Sequence, residues 1–461
     1  MIRAVLIPRK ASDTCGRASV RCWRRLVPCA VCPKEITINP TTLSTDTLVA
    51  HRDRAQRDYA ELVGQHLSLD LTRGKPAADQ LDLSLPLLTL PGDTYFGAEA
   101  VDCRNYGGLQ GLRELREIFS GPLQVPVEQL VAAGNSSLEL MHDCLVHALL
   151  SALPGAKSRW VDDERIAFLC PVPGYDRHFG VCERLGIEMI PVPMTDQGPD
   201  MDVVEGLVAE DSSVKGIWCV PKYSNPDGIS YSDETVARLA AMSTAAPDFR
   251  IFWDNAYAVH HLTDERVEIS DLLAACARSG HTDRAFVFGS TSKITLAGSG
   301  VAFFGSSPDN VAWLLANTAK RTIGPDKVNQ LRHALFLKDE AGVHAHMERH
   351  RAKLRPKFDA VVRILEAELG GTGLATWTEP KGGYFITLKV LDGCARAVVR
   401  HAAEAGIVLT PAGATHPHGQ DPDDSVIRIA PSYPTLDELV QAIMGVTACM
   451  RLVGYEKLLA R

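Results

Sequence analysis

The stretch Ala285-Phe-Val-Phe-Gly-Ser-Thr-Ser-Lys293 joins a short apolar run to a polar turn that ends in a lysine. Its first four residues predict a strand that is buried on both faces, as in the parallel sheets of α/β proteins. A lysine just beyond the carboxyl end of such a strand lies where these sheets bind ligands. Partly desolvated there, Lys293 can form a Schiff base with a carbonyl compound. Taken alone, the stretch also fits an ordinary surface-loop lysine.

Other short apolar runs lie on both sides of this stretch, and helical patterns separate them. They predict strands at 166–171, 188–193, 214–221, 249–253 and 300–304. The residues from 136 to 153 place Leu138, Met141 and Leu145 on one face and predict a helix. This alternation predicts an α/β fold with a mostly parallel central sheet and helices on both faces.

Four parts are predicted along the chain, namely 1–45, 46–80, 81–340 and 341–461. The first is basic and is expected to be a disordered arm or the product of a misassigned start, in preference to a transit-like presequence. The second is an N-terminal arm that joins the last part in a smaller α+β domain. The third is the large domain. One long polar helix is predicted over 328–354, and strands of the small domain are predicted at 383–388, 407–410 and 426–430.

Composition excludes several classes of protein. The net charge of −8 and the pI near 6.0 argue against a broad nucleic-acid surface. The chain has no run of 18 consecutive apolar residues, so no membrane partner is expected. Its twelve cysteines are scattered, which favours reduced thiols and a cytoplasmic protein. The one close pair, Cys29-x-x-Cys32, lacks zinc-site partners, so no metal site is expected.

Two further predicted strands end in residues that carry chemistry. Asp254 closes the run 249–253, and a buried carboxylate there needs a cationic partner, such as a protonated pyridine nitrogen. Tyr257 lies three residues on and could reach the same ring. Asn225 precedes Pro226 after the strand at 214–221 and offers an amide donor. A helix-capping aspartate and an ordinary Asn-Pro turn are the plainer interpretations.

Two more motifs complete the pattern. Gly134-Asn-Ser-Ser137 comes directly before the helix predicted at 136–153, where free N–H groups attract an anion. An ordinary helix cap explains the same residues. Tyr175, in Cys170-Pro-Val-Pro-Gly-Tyr175, follows another strand and offers an aromatic face for stacking.

Taken in the order in which they occur along the chain, these five motifs resemble the fold-type I pyridoxal-phosphate aminotransferases. The resemblance runs from about residue 69 to the C-terminus. The resemblance implies the α/β fold of that group and pyridoxal 5'-phosphate as cofactor. It implies that Lys293 binds the cofactor covalently and moves the proton at the substrate α-carbon. Asp254 would pair the ring nitrogen, Asn225 and Tyr257 would hold the ring 3-oxygen, and Tyr175 would stack on the ring.

The resemblance also implies which residues bind the cofactor phosphate and which bind the substrate. The implied phosphate ligands are Gly134, Asn135, Ser136, Ser137, Ser290 and Ser292. Tyr106, in Asn105-Tyr-Gly-Gly-Leu-Gln-Gly-Leu-Arg113, matches a tyrosine that reaches the phosphate of the neighbouring subunit, which implies a homodimer with shared active sites. Gly74 matches the glycine that closes over the substrate. Arg428 matches the arginine that binds its α-carboxylate, and a planar guanidinium suits that group.

One departure concerns the phosphate. The common pattern has an arginine shortly after the lysine, whereas this chain reads Ala297-Gly-Ser-Gly300. Lys320, Arg321 and Lys327 are candidate replacements. Arg73 and Lys75 add cations beside Gly74. These features resemble the divergent aspartate aminotransferase subgroup Ic, the alanine-aminotransferase or MocR-like branch.

The expected activity is ping-pong transamination between an amino acid and a 2-oxo acid, with L-aspartate and 2-oxoglutarate favoured because extra cations suit a second carboxylate. Another aminotransferase specificity, or a pyridoxal-phosphate lyase or decarboxylase, stays open because these enzymes share the cofactor machinery. A MocR-type transcription regulator is the remote alternative. Residues 1–60 are too short and too broken by proline for the winged helix-turn-helix of such regulators.

Overall fold

A computed structural model describes residues 43–460. Its strands are β1 Leu69–Asp70, β2 Leu130–Ala132, β3 Ala167–Val172, β4 Glu188–Thr195, β5 Gly198–Pro199, β6 Val214–Cys219, β7 Arg250–Asp254, β8 Ala285–Ser290, β9 Ala302–Gly305, β10 Ala375–Trp377, β11 Ile386–Val390, β12 Ile407–Val408 and β13 Val426–Ile429. The strands predicted in the centre of the chain are confirmed to within a few residues. The very short strands β2, β5 and β10 were not predicted, because two or three residues carry no readable period.

Eight strands form the central sheet, in the order β2-β9-β8-β7-β6-β3-β4-β5. Strands β8, β7, β6, β3 and β4 run parallel. Strands β2, β9 and β5 pair antiparallel with their neighbours. The prediction of a mostly parallel central sheet is therefore confirmed.

The helices are α1 Thr45–Val63, α2 Ala78–Leu81, α3 Arg113–Leu123, α4 Ser137–Leu150, α5 Asp176–Leu185, α6 Met201–Glu210, α7 Asp233–Ala241, α8 Leu272–Arg278, α9 Pro308–Thr318, α10 Lys327–Leu337, α11 Glu340–Leu369, α12 Ala395–Glu404 and α13 Leu436–Leu459. Several begin at a Ser, Thr or Asp side chain that accepts a hydrogen bond from a backbone N–H of the first turn, as Ser136 does for α4. Within residues 43–460, the helices are too short or too polar to cross a membrane.

Both faces of the central sheet are buried. Along β7, Ile251 and Trp253 point into one apolar cluster, and Phe252 points into another on the opposite face. Helices α4, α5 and α9 cover the Phe252 side, and α3, α6, α7 and α8 contribute to the other cluster. Because every strand residue here meets apolar partners, the sequence reads as a continuous apolar run rather than an alternating one.

A smaller assembly joins the two ends of the described chain. Strands β10, β11 and β13 form an antiparallel sheet, and β1 pairs in parallel with β12. Helices α1, α11, α12 and α13 share one apolar cluster with these strands. The predicted boundaries at 45, 80 and 340 stay predictions. Residues 1–42, which hold most of the predicted extension and the Cys29-x-x-Cys32 pair, lie outside the described residues.

The single helix predicted over 328–354 is wrong. The structure has two helices there, α10 and α11, and they meet at Lys338 and Asp339. Lys338 takes a positive φ of 71°, and the Asp339 carboxylate accepts a hydrogen bond from the backbone N–H of Gly342 to begin α11. The available signal of this break was Asp339, a helix-capping residue type, with the acidic Glu340 in the turn that follows.

Candidate active site

Four parallel strands end at one cavity of about 610 Å³. Tyr175 follows β3, Asn225 follows β6, Asp254 ends β7 and Lys293 follows β8, and all four side chains line the cavity. This is the carboxyl edge of the sheet, where ligands of α/β proteins bind. The structure thus brings together four residues that the sequence analysis selected one strand at a time.

The Lys293 amine lies in a setting that weakens its hold on a proton. Its Nζ is 4.8 Å from the centre of the Tyr257 ring. Burial lowers the pKa of Lys293 below its ordinary value of 10.5, and the Asp254 charge opposes that shift. The backbone carbonyl of Lys293 is in turn held by His260 Nε2 at 3.3 Å and by the Tyr384 hydroxyl at 3.4 Å. A buried lysine with a lowered pKa is suited to attack a carbonyl carbon.

Asp254 is a buried carboxylate with one oxygen satisfied and one open. Its Oδ2 lies 3.1 Å from Nε2 of His178, whose ring stacks on Trp218 at 4.3 Å. Its Oδ1 is buried and has no hydrogen-bond partner among residues 43–460. An unpartnered buried carboxylate oxygen is costly unless a cationic group meets it. A protonated pyridine nitrogen in the cavity fits this position.

Asn225 and Tyr257 flank the same space. Oδ1 of Asn225 accepts a hydrogen bond from Nη1 of Arg428 at 3.3 Å, so its NH₂ group is the donor that remains for a ligand. Burial raises the pKa of Tyr257 well above its usual value, which keeps the phenol protonated as a donor. Tyr175 meets His178 edge-on at 4.9 Å, beside the same cavity.

The predicted phosphate residues form one cluster. Ser136 caps α4 by accepting a hydrogen bond from the Glu139 N–H at 3.2 Å. The hydroxyl of Ser292 reaches the carbonyl oxygen of Asn135 at 3.4 Å, and Ser290 Oγ lies 3.2 Å from Ser292 Oγ. Gly134 and Ser137 lie beside these residues at the start of α4. Hydroxyls and helix N–H groups of this kind are donors for a phosphate.

Arg428 enters the cavity from the smaller assembly. It is buried, and its Nη1 donates to Oδ1 of Asp176 at 3.0 Å. Its Nη2 lies 3.4 Å from Thr410 Oγ1, and its Nε is buried with no hydrogen-bond partner in the described part of the chain. Gly74 lines the cavity against the Phe385 ring, which a Cβ at Gly74 would strike. Both residues predicted to meet the substrate therefore face the same space as Lys293.

The family model for aspartate amino-transferases matches residues 43–461. The chain belongs to this family. The predicted family and the predicted enzyme class, a pyridoxal-phosphate-dependent aminotransferase of fold type I, are thereby confirmed.

Relatives of this aminotransferase agree along nearly its whole length. An aspartate aminotransferase of Corynebacterium glutamicum is 48% identical over 407 residues, which are 88% of this chain and 94% of the relative. The crystal structure of an aspartate transaminase from C. glutamicum superimposes with a TM-score of 0.90 at 46% identity, covering 92% of this chain and 100% of that one. An α-aminoadipate aminotransferase of Thermus thermophilus, solved with a phosphopyridoxyl-leucine adduct, shares the fold at 20% identity and a TM-score of 0.67, over 88% and 95% of the chains.

The turn that follows Lys293 leaves little room for a side chain at Gly300. A Cβ at Gly300 would come within 2.9 Å of the Thr291 hydroxyl oxygen and 3.3 Å of the Ser292 backbone nitrogen. Asn329 also donates to the carbonyl oxygens of Ser299 and Gly300 at 3.0 Å and holds this turn in place. Close approach of the backbone therefore requires glycine here.

Two of the three candidate replacement cations are engaged elsewhere in the described chain. Lys327 is buried and donates at 2.7 Å to the carbonyl oxygens of Asn105 and Gly107. Arg321 pairs with Asp143 at 2.8 Å. Lys320 is exposed. None of the three is seen bonded to the hydroxyls of the phosphate cluster.

Tyr106 lies apart from the cavity of its own chain. It is 82% exposed, and its backbone N–H donates to the Asn105 side chain. Lys327 fixes the turn that carries Tyr106 through the two carbonyl oxygens on either side of it. Its role in a neighbouring subunit stays a prediction.

Sequence reasoning missed several residues of the site, and three of them are consecutive. Asp176, Arg177 and His178 follow Tyr175 on the first turn of α5, and the first two line the cavity. The only sequence signal was their place directly after a strand end that was already selected. Together with Arg73 and Lys75, Arg177 makes this mouth of the cavity strongly basic.

Proposed function

We propose that this aminotransferase moves the amino group of L-aspartate to 2-oxoglutarate by a ping-pong mechanism. One observation carries the proposal. Lys293, the unpartnered Oδ1 of Asp254 and the guanidinium of Arg428 face a single cavity, and three more cations surround its mouth. A site of this charge suits a substrate with two carboxylates.

The residues around the cavity fit pyridoxal phosphate. Lys293 would hold the cofactor covalently, and Asp254 would hold the ring nitrogen as a cation. Asn225 and Tyr257 would donate to the ring 3-oxygen, and Tyr175 would stack on the ring. The phosphate would lie against Gly134, Asn135, Ser136, Ser137, Ser290 and Ser292. When bound, the cofactor supplies a cationic ring that accepts the electron pair released at the substrate α-carbon and carries the amino group between half-reactions.

The side chains divide the remaining tasks. Once the substrate has displaced it, the Lys293 amine takes the proton from the substrate α-carbon. In the reverse half-reaction it returns a proton to that carbon. The lowered pKa of Lys293 favours the neutral amine that acts as the base. His178 holds Asp254 in place through the 3.1 Å contact with Oδ2. Arg428 binds the α-carboxylate, and Gly74 lets the chain close over the substrate against Phe385.

Cations beyond Arg428 support a dicarboxylate. Arg73, Lys75 and Arg177 line the cavity mouth. Arg73 shares its charge with Asp70 at 2.9 Å, and Lys75 lies 4.3 Å above the Tyr433 ring. A substrate carboxylate could replace Asp70 as the partner of Arg73, or the Tyr433 ring as the partner of Lys75. The name of the C. glutamicum relative, an aspartate aminotransferase, agrees with this substrate.

We further infer a homodimer in the cytoplasm, with Tyr106 of each subunit completing the phosphate site of the other. The exposed position of Tyr106, outside the cavity of its own chain, supports this arrangement. Within residues 43–460, buried cysteines such as Cys170 and Cys219 are free thiols, as suits a reducing compartment.

An absorbance spectrum of the purified protein tests the proposal. L-Aspartate is expected to abolish the visible band of the bound cofactor, and 2-oxoglutarate is expected to restore it. A visible band that ignores aspartate would remove the dicarboxylate substrate but keep the cofactor, and other amino acids would then be tried. Absence of a band after incubation with pyridoxal phosphate would overturn the whole proposal.

A further inference from the structure

The substrate arginine already holds a carboxylate of its own chain. Nη1 of Arg428 donates to Oδ1 of Asp176 at 3.0 Å. The same guanidinium meets Asn225 and Thr410 more loosely, at 3.3 and 3.4 Å, and its Nε meets no acceptor within residues 43–460. The shortest of these hydrogen bonds from the buried guanidinium therefore goes to the carboxylate of Asp176 and not to a neutral neighbour.

A substrate carboxylate and Asp176 cannot both keep that position. Each would bring a negative charge to one guanidinium, and like charges this close repel each other. Asp176 lines the same cavity as Lys293, so it lies on the substrate side of Arg428. One of the two anions therefore has to leave before the other binds.

Three features allow the Asp176 side chain to move away from Arg428. Its side chain is 30% exposed, whereas that of Arg428 is 8% exposed. It is the first residue of α5, where the N-terminal helix dipole favours a carboxylate in any rotamer. A second cation is within reach, because Arg177 Nε is 3.9 Å from Asp176 Oδ2.

We propose that Asp176 occupies the α-carboxylate position on Arg428 in the substrate-free site, and that it exchanges Arg428 for Arg177 when substrate enters. The inference rests on the proposed role of Arg428 as the substrate arginine. Asp176 is a positioning residue in this scheme: it keeps Arg428 neutralised and oriented between turnovers. It also lowers the apparent affinity for every carboxylate ligand, because only the fraction of molecules in which Asp176 has left Arg428 can bind one.

Binding of succinate, a dicarboxylate that cannot react, to the holoenzyme tests the exchange by isothermal titration calorimetry. Asp176→Asn keeps the shape but removes the competing charge, so succinate is expected to bind about three- to tenfold more tightly. Arg177→Gln removes the second partner of Asp176 and also one cation of the cavity mouth, so the exchange predicts that succinate affinity falls by a larger factor in the wild-type background than in the Asp176→Asn background, where only the mouth cation is lost. Asp176→Glu retains the competing charge, and its affinity is expected to stay below that of Asp176→Asn.

Two further variants separate the possible failures. Glu183→Gln removes an exposed charge from the same helix outside the cavity, and it is expected to leave succinate binding unchanged. Arg428→Lys loses the planar fork and is expected to weaken binding. If Arg428→Lys weakens binding while Asp176→Asn leaves it unchanged or weaker, Asp176 is a fixed support and the exchange is overturned. If Arg428→Lys binds succinate like the wild type, the proposed role of Arg428 fails together with the inference.

Discussion

At the scale of single residues, burial and a neighbouring charge have opposite effects on the pKa of Lys293. Burial lowers its pKa below 10.5, and the Asp254 carboxylate raises it. Because the neutral amine is the form that attacks, covalent uptake of pyridoxal phosphate by the apoprotein is expected to accelerate with pH about a midpoint below 10.5. In Asp254→Asn the opposing charge is gone, and the midpoint is expected to fall further. Growth of the visible band, followed by stopped flow across the alkaline range, measures both, and a wild-type midpoint at or above 10.5 contradicts the argument.

The same lysine gives a prediction for turnover. Lys293→Ala removes the amine that we propose holds the cofactor and moves the α-proton, so transamination is expected to fall by about 10²- to 10⁴-fold, near background. Formation of the 2-oxo acid from L-aspartate measures the loss. Lys157→Ala, at an exposed lysine, is the matched control and is expected to keep full activity. Wild-type activity in Lys293→Ala would remove this lysine from the mechanism.

Gly74 is needed for a steric reason that a control glycine lacks. A Cβ at Gly74 would strike the Phe385 ring, whereas a Cβ at Gly180, on the exposed side of α5, meets nothing within 4 Å. Gly74→Ala is therefore expected to raise the KM for aspartate and lower the melting temperature, because Phe385 must move. Gly180→Ala is expected to stabilise the protein by about 0.5–1 kcal/mol. Steady-state kinetics and thermal denaturation measure both variants, and equal effects of the two would contradict the packing argument.

At the scale of elements, a buried polar network joins helix α11 to the lysine turn. Nε2 of Gln80 donates at 3.1 Å to the Tyr384 hydroxyl and lies 3.1 Å from His350 Nδ1. Nε2 of His346 lies 2.7 Å from the carbonyl oxygen of Ile294, directly after Lys293. The network thus connects the N-terminal arm, the long helix and the smaller sheet to the backbone of the turn that carries Lys293 and Ile294.

This network predicts a loss of stability in acid. Burial lowers the pKa of His346 and of His350 from 6.5 to about 4, with Arg349 adding to the shift. Between these pH values the unfolded chain binds protons that the folded chain does not. The free energy of unfolding is therefore expected to fall as the pH drops from about 6.5 to about 4, by up to about 3 kcal/mol for each histidine.

Urea unfolding over that pH range measures the slope. His350→Gln keeps a polar side chain in the network but cannot titrate, so its unfolding free energy is expected to depend less on pH than that of the wild type. His142→Gln, at an exposed histidine, is the control and is expected to keep the wild-type slope. An unchanged slope in His350→Gln would mean that other groups govern the acid response.

Elements of the central sheet could be predicted from the sequence because burial on both faces makes each strand a continuous apolar run. The chemistry at the strand ends, such as Asp254 and Lys293, could be predicted because parallel strands bring their carboxyl ends to one edge. Asp176 and His178 could not, since their partners Arg428 and Asp254 are distant in sequence. The break at Lys338 was missed because the helical period continues on both sides of it.

At the scale of the whole molecule, the turns around Tyr106 present an apolar surface. Leu88 is 58% exposed and Ile323 is 64% exposed, and both lie on segments that adjoin α10, as Tyr106 does. If this surface is the interface of the proposed dimer, Leu88→Asp and Ile323→Asp are expected to shift the protein toward monomer. Leu150→Asp, at a leucine that is 62% exposed at the end of α4, is expected to leave the dimer intact. Sedimentation velocity distinguishes these outcomes, and a wild-type monomer would contradict the dimer outright.

Shared active sites make a stronger prediction than dimerisation alone. In a hybrid of one Tyr106→Ala subunit and one Lys293→Ala subunit, one site combines an intact Lys293 with an intact Tyr106 from across the interface, and the other site has lost both. The purified hybrid is therefore expected to regain about half of the wild-type activity, while each parent homodimer stays well below it. Differently tagged subunits, co-expressed and purified through both tags, allow this measurement. If Tyr106 instead served the site of its own chain, the intact residues would never meet in one site, and the hybrid would be no more active than the mean of its parents.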